Sequence, residues 1–111
     1  MEIRTKKEKD AIVVSVRGKM DALSSPEFEK QLSELIGQGE KDFVVDLGEL
    51  EYISSAGLRV ILAIVKRLKE KEGRLFICGL KDMAKEVFEI SGFGAFIPVY
   101  DSVESALSHI Q

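Results

Sequence analysis

The stretch Asp46-Leu47-Gly48-Glu49-Leu50-Glu51-Tyr52-Ile53-Ser54-Ser55-Ala56-Gly57-Leu58-Arg59-Val60 decides the fold, because the apolar period changes inside it. Phe43, Val44, Val45 and Leu47 make a short apolar run, the pattern of a central strand covered on both faces. Gly48-Glu49 reads as a turn, and residues 50–53 lead from it to a pair of serines. Ser is a preferred residue at a helix start. Beyond Gly57 the period is helical: Leu58, Ile61, Leu62, Val65 and Leu68 form one stripe, widened by Val60 and Ile64, while Arg67, Lys69 and Glu70 face away. Gly73 reads as the C-cap residue. Leu75-Phe76-Ile77-Cys78 is then a second short buried strand.

The same alternation continues in both directions. Upstream, residues 3–7 read as a polar edge strand closed by a turn at Lys9-Asp10. Residues 11–16, nearly all β-branched, read as an interior strand ended by Gly18. Ser24-Ser25-Pro26 opens a helix, with Ser24 and Glu27 spaced as a capping box. Phe28, Leu32, Leu35 and Ile36 are its apolar face, and Gly37 and Gly39 its stop. Downstream, Asp82 caps a shorter helix carrying Met83, Val87, Phe88 and Ile90, stopped by Gly92. Residues 95–100 read as a last strand, which Pro98 confines to a sheet edge. Asp101 or Ser102 caps a terminal helix with Val103, Ala106, Leu107 and Ile110. The order β-β-α-β-α-β-α-β-α implies an α/β domain over residues 1–111. Its mixed, mostly parallel sheet has about five strands, the first two antiparallel, and about four helices joined by right-handed crossovers. The pattern leaves open whether the helices cover one face or both.

Composition narrows the chemistry. The chain has 111 residues, with 16 Lys+Arg against 19 Asp+Glu and a formal charge of −3, which argues against a nucleic-acid partner. One Cys, Cys78, excludes an internal disulfide and a cysteine-based metal cage. One His, His109, lies beside the C-terminus and reads as a helix-end surface residue, so catalysis by a central His base is nearly excluded. No apolar run approaches the roughly 20 residues of a membrane span, and no apolar stretch follows the charged N-terminus as a signal peptide requires. The expectation is a cytoplasmic chain with no membrane partner, no metal, no cofactor and no enzymatic activity.

Two hydroxyls at a helix start have two readings. Ser54 and Ser55 are caps, contributing about 1 kcal/mol each, or one of them is an anion-bearing position favoured by free N–H groups and the helix dipole. A catalytic serine would need a base in reach. A phosphate-binding loop would need G-x-x-x-x-G-K-[ST], which is absent. Asp21 either bonds the Ser54–Ser55 loop or makes its own turn. Arg59 is a partner contact or a solvated side chain. Met20, Leu23 and Phe93 are exposed contacts or core.

Asp46-Leu47, Leu50 and Tyr52-Ile53-Ser54-Ser55-Ala56-Gly57-Leu58 resemble the signature of STAS domains of the anti-sigma factor antagonist type. Gly18-Lys19-Met20-Asp21 resembles that family's Gly-x-Leu-Asp turn. Gly79-Leu80, Val87-Phe88 and Ser91-Gly92-Phe93 resemble its later helix ending in Gly. The resemblance covers essentially the whole chain. It implies an anti-sigma factor antagonist whose unphosphorylated form binds an anti-sigma factor with serine kinase activity and so releases a sigma factor. Phosphorylation by that kinase would switch the antagonist off, and a PP2C-type phosphatase would reset it. Aligned on Gly57, the acceptor is Ser55, with Asp21, Ser54, Ala56, Gly57 and Arg59 as partner-binding positions. The chain departs from the pattern where Ser54 replaces an acidic residue and Ala56 a second hydroxyl, so Ser54 is the alternative acceptor. A STAS scaffold or transport-associated module without a phosphoswitch is the alternative use of the fold.

Overall fold

Lys9 and Asp10 both adopt positive φ, 51° and 68°, the backbone of a two-residue hairpin turn whose twist matches the strands it joins. That turn pairs β1 (Glu2–Glu8) antiparallel with β2 (Ala11–Met20), from Glu8 opposite Ala11 to Glu2 opposite Arg17. The computed structural model describes residues 1–110; Gln111, the last residue of the expected domain, lies outside the described residues. The remaining elements are α1 (Ser25–Gly37), β3 (Asp42–Ile53), α2 (Ser55–Glu70), β4 (Arg74–Cys78), α3 (Asp82–Ser91), a 3-10 turn at Phe93–Ala95, β5 (Val99–Tyr100) and α4 (Val103–Ser108).

The sheet order is β1-β2-β3-β4-β5, with every pair after the hairpin parallel. This order settles which face the helices cover. Three right-handed crossovers that step in the same direction must put their helices on the same side. Thus Phe28, Leu32 and Ile36 of α1, Ile61, Ile64 and Leu68 of α2, and Ala84 and Phe88 of α3 pack on Ile12, Val14, Phe43, Val45, Leu75 and Ile77. Helix α4 follows the last strand and returns to the opposite face, where Ala106, Leu107 and Ile110 meet Ala11, Val13, Val44, Phe76 and Cys78. The apolar runs of β2, β3 and β4 lack alternation because both of their faces are buried.

Several boundaries move. Gly18 does not end β2 but sits inside it at φ 99°, and Gly48-Glu49 is no turn but part of a continuous β3. The β2–β3 register explains both. Ser15 faces Asp46 but Arg17 faces Glu49, and Gly18 faces Leu50 but Lys19 faces Tyr52, so β3 carries an extra residue at two bulges. The Asp46 carboxylate accepts the Gly48 N–H at 2.9 Å across the first of them. These bulges break the two-residue period that would have marked a strand through to Ile53.

The ends of the helices differ too. Ser24 precedes α1, but its hydroxyl makes no cap bond to the helix, so the capping box with Glu27 does not form. The residue before α3 is Lys81, and Asp82 lies within the first turn at φ 53°, where its charge rather than a cap bond suits the helix end. Helix α2 closes in a Schellman arrangement: Glu72 takes the left-handed φ of 58° and Gly73 N–H reaches the Leu68 carbonyl at 2.7 Å. Gly73 is required not for its φ but because a Cβ there would overlap the Lys41 carbonyl. Gly92 ends α3 at φ 77° as expected. The last strand shrinks from residues 95–100 to Val99–Tyr100, because Phe93–Ala95 coils into the 3-10 turn; it is a sheet edge, as Pro98 requires. Ser102, not Asp101, caps α4, accepting the Ser105 N–H at 3.1 Å.

Candidate functional site

The carboxyl ends of β2 and β3 bring two loops together. Ser54 N–H donates to the Met20 carbonyl at 2.9 Å. Gly57 lies so close to the same strand end that a Cβ would stand 2.8 Å from the Met20 carbonyl oxygen and 2.8 Å from Ile53 Cγ1. The start of α2 is therefore fixed against the segment that leads into α1.

That segment is itself tightly tied. Asp21 Oδ1 accepts from the N–H groups of Leu23 and Ser24, each at 3.0 Å, and from the Ser24 hydroxyl at 3.0 Å. The Ser24 Oγ accepts the Asp21 N–H at 2.9 Å, and its proton is shared with the Lys19 carbonyl at 2.8 Å. The donors of Ser24, backbone first and hydroxyl second, with the Leu23 N–H, hold the Asp21 carboxyl below its ordinary value of 3.8. Asp21 thus makes its own turn and does not reach the Ser54 or Ser55 hydroxyl. This turn also lifts Leu23 into solvent, 93% exposed, while Met20 is fully buried and Phe93 half-buried.

The two serines are physically unlike. Ser54 precedes the helix with extended backbone (φ −93°, ψ 172°), is half-buried, and accepts the Gly57 N–H at 3.3 Å. It is the cap. Ser55 is the first residue of α2, exposed, and its hydroxyl has no hydrogen-bond partner among the described residues. Ala56 faces a shallow groove of about 310 Å³ between α1 and α2, which Ala22, Pro26, Glu29, Arg59 and Val60 also line. Sequence reading missed Ala22, Pro26 and Glu29, since their part in the groove follows from how α1 packs beside α2.

The chemistry available here is that of an accessible hydroxyl. His109 lies elsewhere, its ring stacked on Tyr100 at 4.8 Å and its Nδ1 2.9 Å from the Ser105 carbonyl. Cys78 is buried in the sheet, and burial, followed by the charges of Asp46 and Glu104, pushes its thiol up to about 12, so it is inert. No group of three or more His, Cys, Asp or Glu among the described residues could hold a metal ion. No helix among the described residues is long and apolar enough to cross a membrane.

Comparison with known proteins agrees with this architecture. The STAS domain family model matches residues 2–106. The chain is 40% identical over 106 residues to BtrV of Bordetella bronchiseptica, whose name includes the words anti-sigma factor antagonist; the match covers 96% of this chain and 91% of BtrV. It is 29% identical over 104 residues to the anti-sigma-B factor antagonist of Staphylococcus aureus, covering 94% and 96%. Among solved structures, an anti-sigma factor antagonist from Mycobacterium paratuberculosis superposes with a TM-score of 0.90 at 21% identity, covering 98% of this chain and 92% of that one. SpoIIAA from Bacillus in its phosphorylated form superposes at 0.78 and 19% identity, covering 99% and 100%. At those identities the structures speak for the fold, and the sequence matches for the family. The chain belongs to the STAS domain family, in the company of relatives named as anti-sigma factor antagonists.

Proposed function

We propose that this chain is an anti-sigma factor antagonist switched by phosphorylation of Ser55. Unphosphorylated, it docks on an anti-sigma factor that is also a serine kinase, and the sigma factor is released. The kinase then transfers a phosphoryl group from ATP to the Ser55 hydroxyl, and the complex dissociates. A PP2C-type phosphatase restores the free serine. The docking face is the surface around the start of α2, Asp21, Ser54, Ala56 and Arg59, with Gly57 buried beneath it and holding the helix start in place. The setting is the cytoplasm, without nucleic acid or membrane as partner, and the chain's part is binding rather than catalysis.

One observation carries this reading: of the two adjacent hydroxyls, that of Ser54 is bound to Gly57 N–H at 3.3 Å and half-buried, while that of Ser55 is exposed and unbound. A kinase needs a hydroxyl it can reach. A phosphate there adds about −1.5 to −2 charge to a chain of formal charge −3, nearly all at one point of the docking face. A dianion cannot be buried in an interface without a cationic partner, so the complex is lost. The existence of both a phosphorylated and an unphosphorylated form of SpoIIAA, on the same fold, supports the reading.

Incubation with the kinase and ATP, followed by mass-spectrometric site mapping, tests it. One phosphate on Ser55 is expected. Phosphate on Ser54 would reassign the acceptor, and phosphate on neither would leave a constitutive binding module.

A further inference from the structure

Ser55 and Arg59 stand four residues apart on α2. Such pairs share a helix face, with about 5–6 Å between their Cβ atoms. Side chains on a helix lean toward its N-terminus, so the Arg59 stem points at the turn that carries Ser55. Both residues are exposed. The chain has five arginines, and four are engaged. Arg4 and Arg17 meet Glu2, Arg67 donates to the Ser33 hydroxyl, and Arg74 pairs with Asp42. Arg59 alone has no ion-pair or hydrogen-bond partner among the described residues, although Glu29 lines the same groove.

We propose that Arg59 is a clamp in cis: once Ser55 carries a phosphate, the Arg59 guanidinium closes onto it. The inference rests on Ser55 as the modified residue and adds what the phosphate does next. A guanidinium fork matches phosphate oxygens two at a time, which a lysine does not. Modification then acts twice on the docking face. It adds an anion, and it withdraws the one arginine that was free to meet a partner's carboxylate or carbonyl. The clamped phosphate also lies beside the unsatisfied N–H groups of the first turn.

The test uses the chain with phosphoserine genetically encoded at position 55, so that it does not depend on any kinase. Phosphorus NMR follows the second ionisation of the phosphate with pH. The charged groups on the elements packed around Ser55 include Arg59 itself, Glu29 across the groove, Asp21 in the loop tied to Ser54, and Lys19 at the end of β2. Both carboxylates raise the phosphate's pKa and Lys19 lowers it, but these groups and the helix end are common to all variants, so the change on replacing Arg59 isolates the clamp. Arg59→Ala is expected to raise that pKa by about 0.5 unit, the size of an exposed ion pair. Arg59→Lys should fall between, and Lys66→Ala, eleven residues farther along α2 than Ser55, should leave it unmoved. Circular dichroism confirms that each variant is folded. Equal pKa values for the parent and Arg59→Ala, or an equal shift from Lys66→Ala, overturn the clamp. Failure of a kinase to modify Ser55 would instead count against the switch and leave this measurement intact.

Discussion

At the scale of single residues, Ser54 and Ser55 are adjacent hydroxyls in unlike settings. Ser54 accepts a backbone N–H and fixes the helix start; Ser55 leaves its hydroxyl to solvent. Ser54→Ala should therefore lose about 1 kcal/mol of stability in urea unfolding, and Ser55→Ala less than about 0.5 kcal/mol. Equal losses would mean that both serines are structural. Asp21 gives a second prediction. Its carboxyl is held below 3.8 in the fold, so the charged form stabilises the native state. That contribution is fully present above the unfolded value and is lost as pH falls through the lowered folded value. Asp21→Asn should thus melt at lower temperature than the parent near pH 6, and the gap should narrow as pH drops below 3.8. A gap that stays constant or widens in acid would show that the charge is not what matters. Sequence alone left Asp21 open between two roles, because its choice depends on the position of Ser24 Oγ, set by the local turn.

At the scale of elements, the decisive contact is between the end of β2 and the first turn of α2. Gly57 lets the helix approach the Met20 carbonyl; backbone cannot yield as a side chain can. Gly57→Ala should cost about 1–3 kcal/mol and displace the start of α2, read as chemical-shift changes spreading from residues 53–57 to Met20 and Asp21. Changes confined to residue 57 would contradict the contact. Element type was legible from the chain: the β-branched run of residues 11–16 and the stripe from Leu58 to Leu68 are strand and helix. Element ends were less so. The bulges in β3 disguise a 12-residue strand as a strand plus a turn, and Lys81 stands where Asp82 was the better cap by type. In β3 long-range pairing outweighed local preference.

At the scale of the molecule, the strand order determines the site. Sequential order places α1 and α2 side by side on one face, and their adjacent N-terminal ends carry Asp21, Leu23, Ser54 and Ser55 to one end of the sheet. The serine pair and Gly57 could be picked out in the chain; the groove of Ala22, Pro26 and Glu29 could not, since it exists only once two helices lie together. The first turn of α2 there presents one exposed serine hydroxyl without a hydrogen-bond partner among the described residues, as the proposed switch requires. The most direct test of the proposed switch is calorimetric titration of the proposed partner, an anti-sigma factor with kinase activity, with the parent chain, Ser55→Ala and Ser55→Asp. Ser55→Ala should bind like the unphosphorylated parent, and Ser55→Asp at least about tenfold more weakly, a difference of about 1.4 kcal/mol. Equal affinities for Ser55→Asp and Ser55→Ala would contradict it.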